Sequence, residues 1–273
     1  MEPHNIVDLA TYPIDDLDTP AAQELIAACR RDLDERALCL LPGFIKPDAI
    51  LQMAAQAAAA NAAGHHYECL RTPYSFMCNQ GFPDDHPRSA LFTCRISHLL
   101  ADQFPPDNLI AGLFGWDPLT NFVREALGYK QLFRSACPSL SVMVSCMDQG
   151  GTLGWHFDTN DGVVSLLLQQ PDGGGHFEYA PYIRSEEDEN YPAMTRLFAG
   201  EPDTAVRPAM AAGTFALFKG RRSCHRVSPV GPTSRPRMIA LFSYDEQPDM
   251  VFPESTVRNV REPSSEPYLG QPA

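Results

Sequence analysis

The sequence predicts an α+β fold with a mainly β core, a barrel of short strands from the second half of the chain with helices from the first half packed on it. Three observations carry that expectation. From Ser139 onward, short apolar runs alternate with glycine and proline turns, the texture of a barrel or sandwich. Earlier segments place apolar residues at helical spacing instead. A chain of 273 residues with 44% hydrophobic and 20% charged content also suits one large core.

The elements follow in order. Thr19 reads as a helix cap with Pro20 at the first helical position, and Ala21, Leu25, Ile26, Cys29 and Leu33 give residues 20–36 an apolar face. Residues 37–42 read as a short strand, and the alanine-rich stretch 47–63 as a second helix packing on the sheet. Residues 64–115 read as irregular, with several prolines and the polar stretch 79–88. The adjacent His65 and His66 would point to opposite sides of a strand and cannot easily share one ion. Residues 117–127 are expected as a helix, opened by Pro118 and stopped by Gly128.

Strands are then expected at 140–147, 155–158, 163–169, 176–180, 214–219, 224–230 and 238–244. Turns lie at Gln149-Gly150-Gly151 and at Pro171-Asp172-Gly173-Gly174-Gly175. An insertion at 183–208 separates two of the strands. Its acidic run, Glu186 to Glu189, reads as a solvated loop or a helix first turn, with a lid over the site as the sharper alternative. Residues 247–273, with Pro248, Pro253, Pro263, Pro267 and Pro272, read as a surface-hugging tail. The whole is expected as a single domain, 1–273: a helical support region at 1–130, a catalytic core at 131–246, and the tail.

Charge narrows the partners. The formal net charge is −13, from 34 acidic against 21 basic residues, and no Lys/Arg cluster tracks a phosphate backbone. Nucleic acid is therefore not an expected partner. The eight cysteines include no Cys-x-x-Cys pair and read as reduced core residues, which fits a cytoplasmic location. Neither a secretory leader nor a membrane span is expected, because no basic stretch precedes an apolar run at Met1 and no segment reaches ~18 apolar residues.

The chemistry concentrates in His156-Phe157-Asp158, the distal His225, and the arginines beyond it. Two neutral imidazoles and one carboxylate occupy one face of an octahedral Fe(II), leaving open positions for a chelating cosubstrate and for oxygen. On a strand His156 and Asp158 would point to the same face, with Phe157 turned away into packing. An arginine after the second histidine can hold a far carboxylate through a forked, charge-assisted pair. Arg237 is the first choice because it opens the last strand and alternates with Ile239 and Leu241; Arg235, which precedes Pro236, is the fallback.

With these residues in place, the stretch from about residue 131 to 246 resembles the double-stranded β-helix core of the Fe(II)- and 2-oxoglutarate-dependent oxygenases, a jelly-roll or cupin-like barrel. The runs from Gly154 to Asp161 and from Gly174 to Pro181 resemble more specifically the branch of free-amino-acid hydroxylases and lysine-type halogenases. Halogenases of that kind replace the carboxylate ligand by a small residue, whereas this chain keeps Asp158, so the resemblance implies hydroxylation. It implies Fe(II) held by His156, Asp158 and His225, with 2-oxoglutarate held by Arg237 and O2 as the oxidant. Succinate and CO2 would be released as an unactivated C–H of a small molecule, an amino acid or a derivative, is hydroxylated.

Substrate contacts stay open on the sequence. A zwitterion needs a cation for its carboxylate and an acid for its amine: Arg88 or Arg95, and Asn160 or Asp161, are candidates. Glu178 and Tyr179 could line the pocket or the outer sheet. Two alternatives in function stand beside the leading one, a protein- or peptide-modifying oxygenase and a catalytically silent metal-binding barrel. The sequence sets no oligomeric state.

Overall fold

The computed structural model describes residues 1–75, 77–105, 107–262 and 267–270. Helices α1 (Pro3–Ile6) and α2 (Pro20–Arg36) open the chain. The Thr19 hydroxyl accepts from the Ala22 N–H at 3.3 Å, Pro20 takes the first helical position, and the helix stops where Ala37 enters the left-handed region at φ 60°. Next come β1 (Leu38–Leu41) and α3 (Pro47–Ala60), which runs on through a 3-10 turn to Ala63. Strands β2 (His65–Arg71) and β3 (Phe92–Leu100) precede α4 (Leu109–Phe114) and α5 (Asp117–Leu127), the latter ended by Gly128 at φ 77°.

The second half is strand-rich. It contains β4 (Phe133–Arg134), β5 (Val142–Met147), β6 (Thr152–His156), β7 (Val163–Gln169) and β8 (Phe177–Ala180). Then follow α6 (Tyr191–Phe198), β9 (Phe215–Phe218), β10 (Cys224–Val227), β11 (Arg237–Phe242), β12 (Tyr244–Asp245) and α7 (Glu254–Arg261). Every pairing between these strands is antiparallel. Nine strands follow one another in the order β1-β9-β7-β11-β5-β3-β6-β10-β8, with β2 on the other side of β3.

The long β3 makes this sheet a barrel-like fold rather than a flat one. Ser97 to Leu100 pair with β5, while Cys94 and Arg95 pair with β6, so the two halves share one strand as a spine. The far ends then face each other: Phe218 of β9 packs on Phe177 and Tyr179 of β8, with ring centroids 5.3 and 5.6 Å apart. Outside, alternate residues of β5, β7, β9 and β11 (Val144, Leu166, Leu217, Ala240) join Ile50, Met53, Leu113 and Phe122 of the helices in one buried cluster. The opposite face of the same strands lines the interior. The two faces differ because the side-chain period of a strand is two.

Several expectations need correction. Residues 64–115 are not irregular: they hold β2, β3 and α4. The sheet therefore begins well before residue 131, because β1, β2 and β3 all belong to it. The strand expected at 155–158 is Thr152–His156, which leaves Asp158 in the loop beyond. The tail is not simply extended, since Glu254–Arg261 is helical and packs Val257 and Val260 against Leu100, Cys137 and Leu140. Pro263 and Pro272 of that tail lie outside the described residues. No helix among the described residues is long and apolar enough to cross a membrane.

Leu99 lies on the spine strand with 0% exposure. Leu99→Ala should lower unfolding stability by about 2–5 kcal/mol, the cost of lost burial plus an unfilled cavity, read as a shift in the urea midpoint at unchanged slope.

Candidate metal centre and its cavity

His156 reaches the interior through an irregularity. On β10, His225 and Val227 are two apart; their partners on β6 are His156 and Leu153, three apart. The extra residue is a β-bulge, which lets Leu153 and His156 both face inward. Gly154 lies inside it for two reasons. A Cβ there would fall 2.3 Å from the Phe92 Cβ, and its carbonyl accepts from the His156 Nδ1–H at 2.8 Å.

His225 is set by the same device. Its Nδ1 lies 3.0 Å from the Ser223 carbonyl. A carbonyl only accepts, so in both rings the proton sits on Nδ1 and Nε2 presents a bare lone pair. The ring centroids are 4.0 Å apart. Burial pushes the His156 pKa down to about 3, with the neighbouring His225 adding to the effect, and burial pushes His225 down to about 4. Both rings are neutral near pH 7.

Asp158 completes the group from the loop. Its N–H donates to the Gly220 carbonyl at 3.2 Å, and Gly220 leaves the room the carboxylate occupies: a Cβ there would be 1.9 Å from Oδ2. The carboxylate lies 3.9 Å from His156 Nε2 and 3.2 Å from His225 Nε2. One ligand atom from each residue lies within 4.8 Å of the others. Because neither Nε2 carries a proton, Oδ2 is buried without a hydrogen-bond partner among the described residues. Burial raises the Asp158 pKa. The two bare Nε2 lone pairs and the carboxylate oxygens repel one another until a cation sits between them, and two imidazoles with one carboxylate suit Fe(II). The residues present fit such an ion.

Phe157, between the ligands, turns the other way. It is 3% exposed and packs with Tyr74, Trp155, Met194, Leu197 and Cys224, while the Arg184 guanidinium lies 3.7 Å from its ring centroid. Met194 and Leu197 belong to α6, so the 183–208 insertion buttresses the ligand loop from behind. No residue of it lines the cavity, and the lid expectation is corrected on that point.

The cavity itself has a volume of about 420 Å³ and opens beside His156 and Asp158. β2 and β3 wall it with Tyr67, Cys69, Arg71, Cys94 and His98, β5 and β11 with Ser145 and Leu241, and α7 with Thr256, Asn259 and Val260. His98 bridges Tyr67 and Ser145, its Nε2 3.1 Å from the phenol and its Nδ1 3.0 Å from the hydroxyl. Burial holds its pKa down at about 3.

The two arginines separate clearly. Arg237 is 3% exposed and shares a face of β11 with the cavity-lining Leu241. It has no acidic partner among the described residues, and burial alone lowers its pKa to about 10. Arg235 instead has 57% side-chain exposure and pairs with Asp172 at 3.2 Å, so the fallback is corrected: it is a surface ion pair.

The substrate candidates from the sequence do not reach the cavity. Arg88 donates to Asn79 Oδ1 at 2.6 Å and to the Cys78 carbonyl, and lies over Phe82. Arg95 is exposed beside Glu68, Asp161 pairs with Arg222 at 2.7 Å, and Asn160 accepts from the Gly162 N–H. Glu178 is held by Arg207 and Arg226 on the outer side, and Tyr179 packs on Phe218. What the sequence reading missed is the inward row Tyr67, Cys69, Arg71. Its signal is the period of two in a stretch whose histidines and charges otherwise read as loop.

No protein-family model matches the sequence, and no curated protein matches it. Solved structures do share the fold. The non-heme alpha ketoglutarate dependent carbocyclase SnoK from nogalamycin biosynthesis aligns over 85% of this chain and 89% of its own, with a TM-score of 0.55 at 12% identity. The epimerase SnoN, in complex with Fe3+, alpha ketoglutarate and nogalamycin RO, aligns over 83% and 88%, with a TM-score of 0.54 at 11% identity. An oxidoreductase of the 2OG-Fe(II) oxygenase family from Burkholderia pseudomallei aligns over 81% and 91%, with a TM-score of 0.50 at 17% identity. The chain has their fold, the double-stranded β-helix.

Two outcomes test the centre. Gly220→Ala should weaken Zn(II) or Co(II) binding at least ~10-fold by displacing Asp158, while Gly112→Ala, in open space on α4, leaves it unchanged. Metal titrations at stepped pH should show affinity falling on acidification, because the ligands bind an ion only when deprotonated and burial raises the Asp158 pKa; affinity independent of pH would remove the carboxylate from the site.

Proposed function

We propose that the protein is an Fe(II)- and 2-oxoglutarate-dependent dioxygenase that hydroxylates an unactivated C–H of a small molecule, an amino acid or a derivative of one. The observation that carries this reading is the combination of the His156–Asp158–His225 cluster, whose two Nε2 atoms carry no proton, with Arg237, a buried arginine lacking an acid among the described residues, inside one double-stranded β-helix. A metal-binding barrel alone has use for the first and none for the second. A buried guanidinium without a counter-charge is costly, and the distal carboxylate of 2-oxoglutarate would relieve it through a forked pair.

His156, Asp158 and His225 would hold the ion. Fe(II) bound there with 2-oxoglutarate supplies the oxidising power: O2 and 2-oxoglutarate are consumed, one oxygen atom leaves in succinate with CO2 released, and the other enters the substrate as hydroxyl. The chain's own contribution is placement. The Gly154 and Ser223 carbonyls fix the tautomer and tilt of each imidazole, Arg237 orients the cosubstrate, and the β-barrel walls limit water around the reacting atoms. Retention of Asp158 supports hydroxylation over halogenation, since the carboxylate fills the position a halide would need.

A small-molecule substrate is favoured over a peptide by the wall that α7 and Tyr268 place around the cavity. Among the neighbours that share the fold, SnoN is described in complex with a small molecule, nogalamycin RO.

Asp158→Ala should abolish substrate-triggered succinate release and iron retention together; unchanged turnover would remove the residue from the site. Arg237→Gln should raise the 2-oxoglutarate requirement roughly 10- to 100-fold, the loss of charge-assisted hydrogen bonds, while Arg235→Gln changes it little. The weak visible band of an anaerobic Fe(II)–2-oxoglutarate mixture reports cosubstrate binding directly. Folded, iron-loaded protein without that band would favour the silent barrel.

A further inference from the structure

Arg71, like Arg237, has no acid beside it among the described residues. It ends the inward row of β2 and lines the same cavity as His156. Most arginines of this acid-rich chain have found a carboxylate: Arg30, Arg95, Arg134, Arg184, Arg222 and Arg226 all lie within 4 Å of one. The ionisable neighbours of Arg71 are instead Tyr67, Cys94, Cys69 and Tyr268, none a carboxylate. Its charge is felt at His156 and at His98 across the cavity.

The side chain is held in place. Tyr268 runs alongside β2, its N–H donating to the Leu70 carbonyl at 2.8 Å and its carbonyl accepting from the Thr72 N–H at 3.0 Å, so it brackets Arg71 in sequence. Its ring centroid is 5.4 Å from the guanidinium carbon, and its hydroxyl donates to the Ser75 carbonyl at 3.1 Å. Among the described residues nothing accepts a hydrogen bond from the guanidinium, so this aromatic contact leaves its donors unspent. A planar cation held this way, with its hydrogen-bonding edge free, suits a carboxylate.

The rest of the lining is as informative. Among the described residues it contains one carboxylate, Asp158, already directed at the two histidines. His98 is neutral, and α7 contributes Thr256, Asn259 and Val260. Among the described residues, an ammonium group entering this cavity finds no counter-charge other than the carboxylate the metal would require.

Resting on the oxygenase reading above, we infer that Arg71 binds the anionic group of the substrate, and that the substrate is a carboxylic acid with no free ammonium group, such as an amino acid whose amine is acylated. A free zwitterion leaves its amine desolvated and unpaired here, at the usual cost of a buried lone charge. An acylated amine carries no charge and offers an amide that Asn259 or Thr256 can meet. The cavity of about 420 Å³ must also take the cosubstrate, which keeps the substrate small.

The test measures binding to the metal-free chain, so that it does not depend on turnover. Ligand-observed NMR with the N-acetyl derivatives of the standard amino acids, beside the free amino acids, should find binders in the acetylated set. Arg71→Gln should weaken the best of them roughly 10- to 100-fold, Arg71→Lys less, and Arg95→Gln, on the exposed neighbouring strand, not at all; circular dichroism confirms that each variant is folded. Binding confined to free amino acids, binding unchanged in folded Arg71→Gln, or no binder in the acetylated set would each overturn the inference. Arg71-dependent binding without succinate release would instead retire the oxygenase reading and leave the acid-binding site standing.

Discussion

Two hydrogen bonds, from His156 Nδ1 to the Gly154 carbonyl and from His225 Nδ1 to the Ser223 carbonyl, govern the centre of this molecule. Each fixes a proton on the outer nitrogen of its ring and so leaves the inner nitrogen as a donor of electrons. Both acceptors are backbone atoms two residues upstream of the ring they hold, so the tautomer is set by local chain geometry rather than by a distant side chain. This arrangement can afford no Cβ at Gly154, where the bulge brings the chain against Phe92. The strand pairing, the bulge and the tautomers are thus one constraint seen at three scales.

The carboxylate is supplied differently, and the difference explains the surrounding architecture. Asp158 stands outside the ladder, so its position depends on the Gly220 backbone in front and the Phe157 cluster behind. Phe157 is pressed by α6 and covered by Arg184, whose guanidinium is in turn held by Glu189 at 3.1 Å. The insertion that the sequence offers as a lid therefore works as a brace. Its acids are not idle: Glu189 neutralises the cation that covers the ring, and Ser185 accepts from the Glu187 and Asp188 N–H groups to turn the loop.

Legibility in the sequence follows the same physics. Helix α2 and helix α5 were readable to the residue because caps and stop signals are local: Thr19, Pro20, Pro118 and Gly128 act within a turn of where they stand. His156, Asp158, His225 and Arg237 stood out because their residue types are costly to bury without a purpose. β2 and β3 were missed for the converse reason. Their inward residues, Tyr67, Cys69, Arg71, Cys94 and His98, include charged and polar side chains that face the cavity, so the hydrophobic alternation that marks a strand is weakened where the strands are most involved in the site. Arg71 was hidden with them, and Arg88 and Arg95 from the same region were taken up in its place. Helix α7 was hidden by a proline-rich tail whose composition says little about the eight residues that fold.

The interior also inverts the electrostatics of the exterior. A chain with net charge −13 repels anions at long range, but within ~10 Å of salt-screened distance local charges decide. Arg237 and Arg71 are both withheld from the acids that neutralise their counterparts on the surface, one on the floor strand β11 and one on β2. The His156–Asp158–His225 cluster carries a single formal negative charge when its carboxylate is ionised, so a divalent ion bound there would leave the site positive overall. On the proposed reading each of two anions would then have its own arginine, and neither would have to share. Under the proposed reading the two anchors would also keep the anions from exchanging places: a dicarboxylate chelating the ion would be held by Arg237 from β11, and an acid by Arg71 from β2. Separate strands would thereby turn charge, which alone distinguishes nothing between two carboxylic acids, into a difference of position.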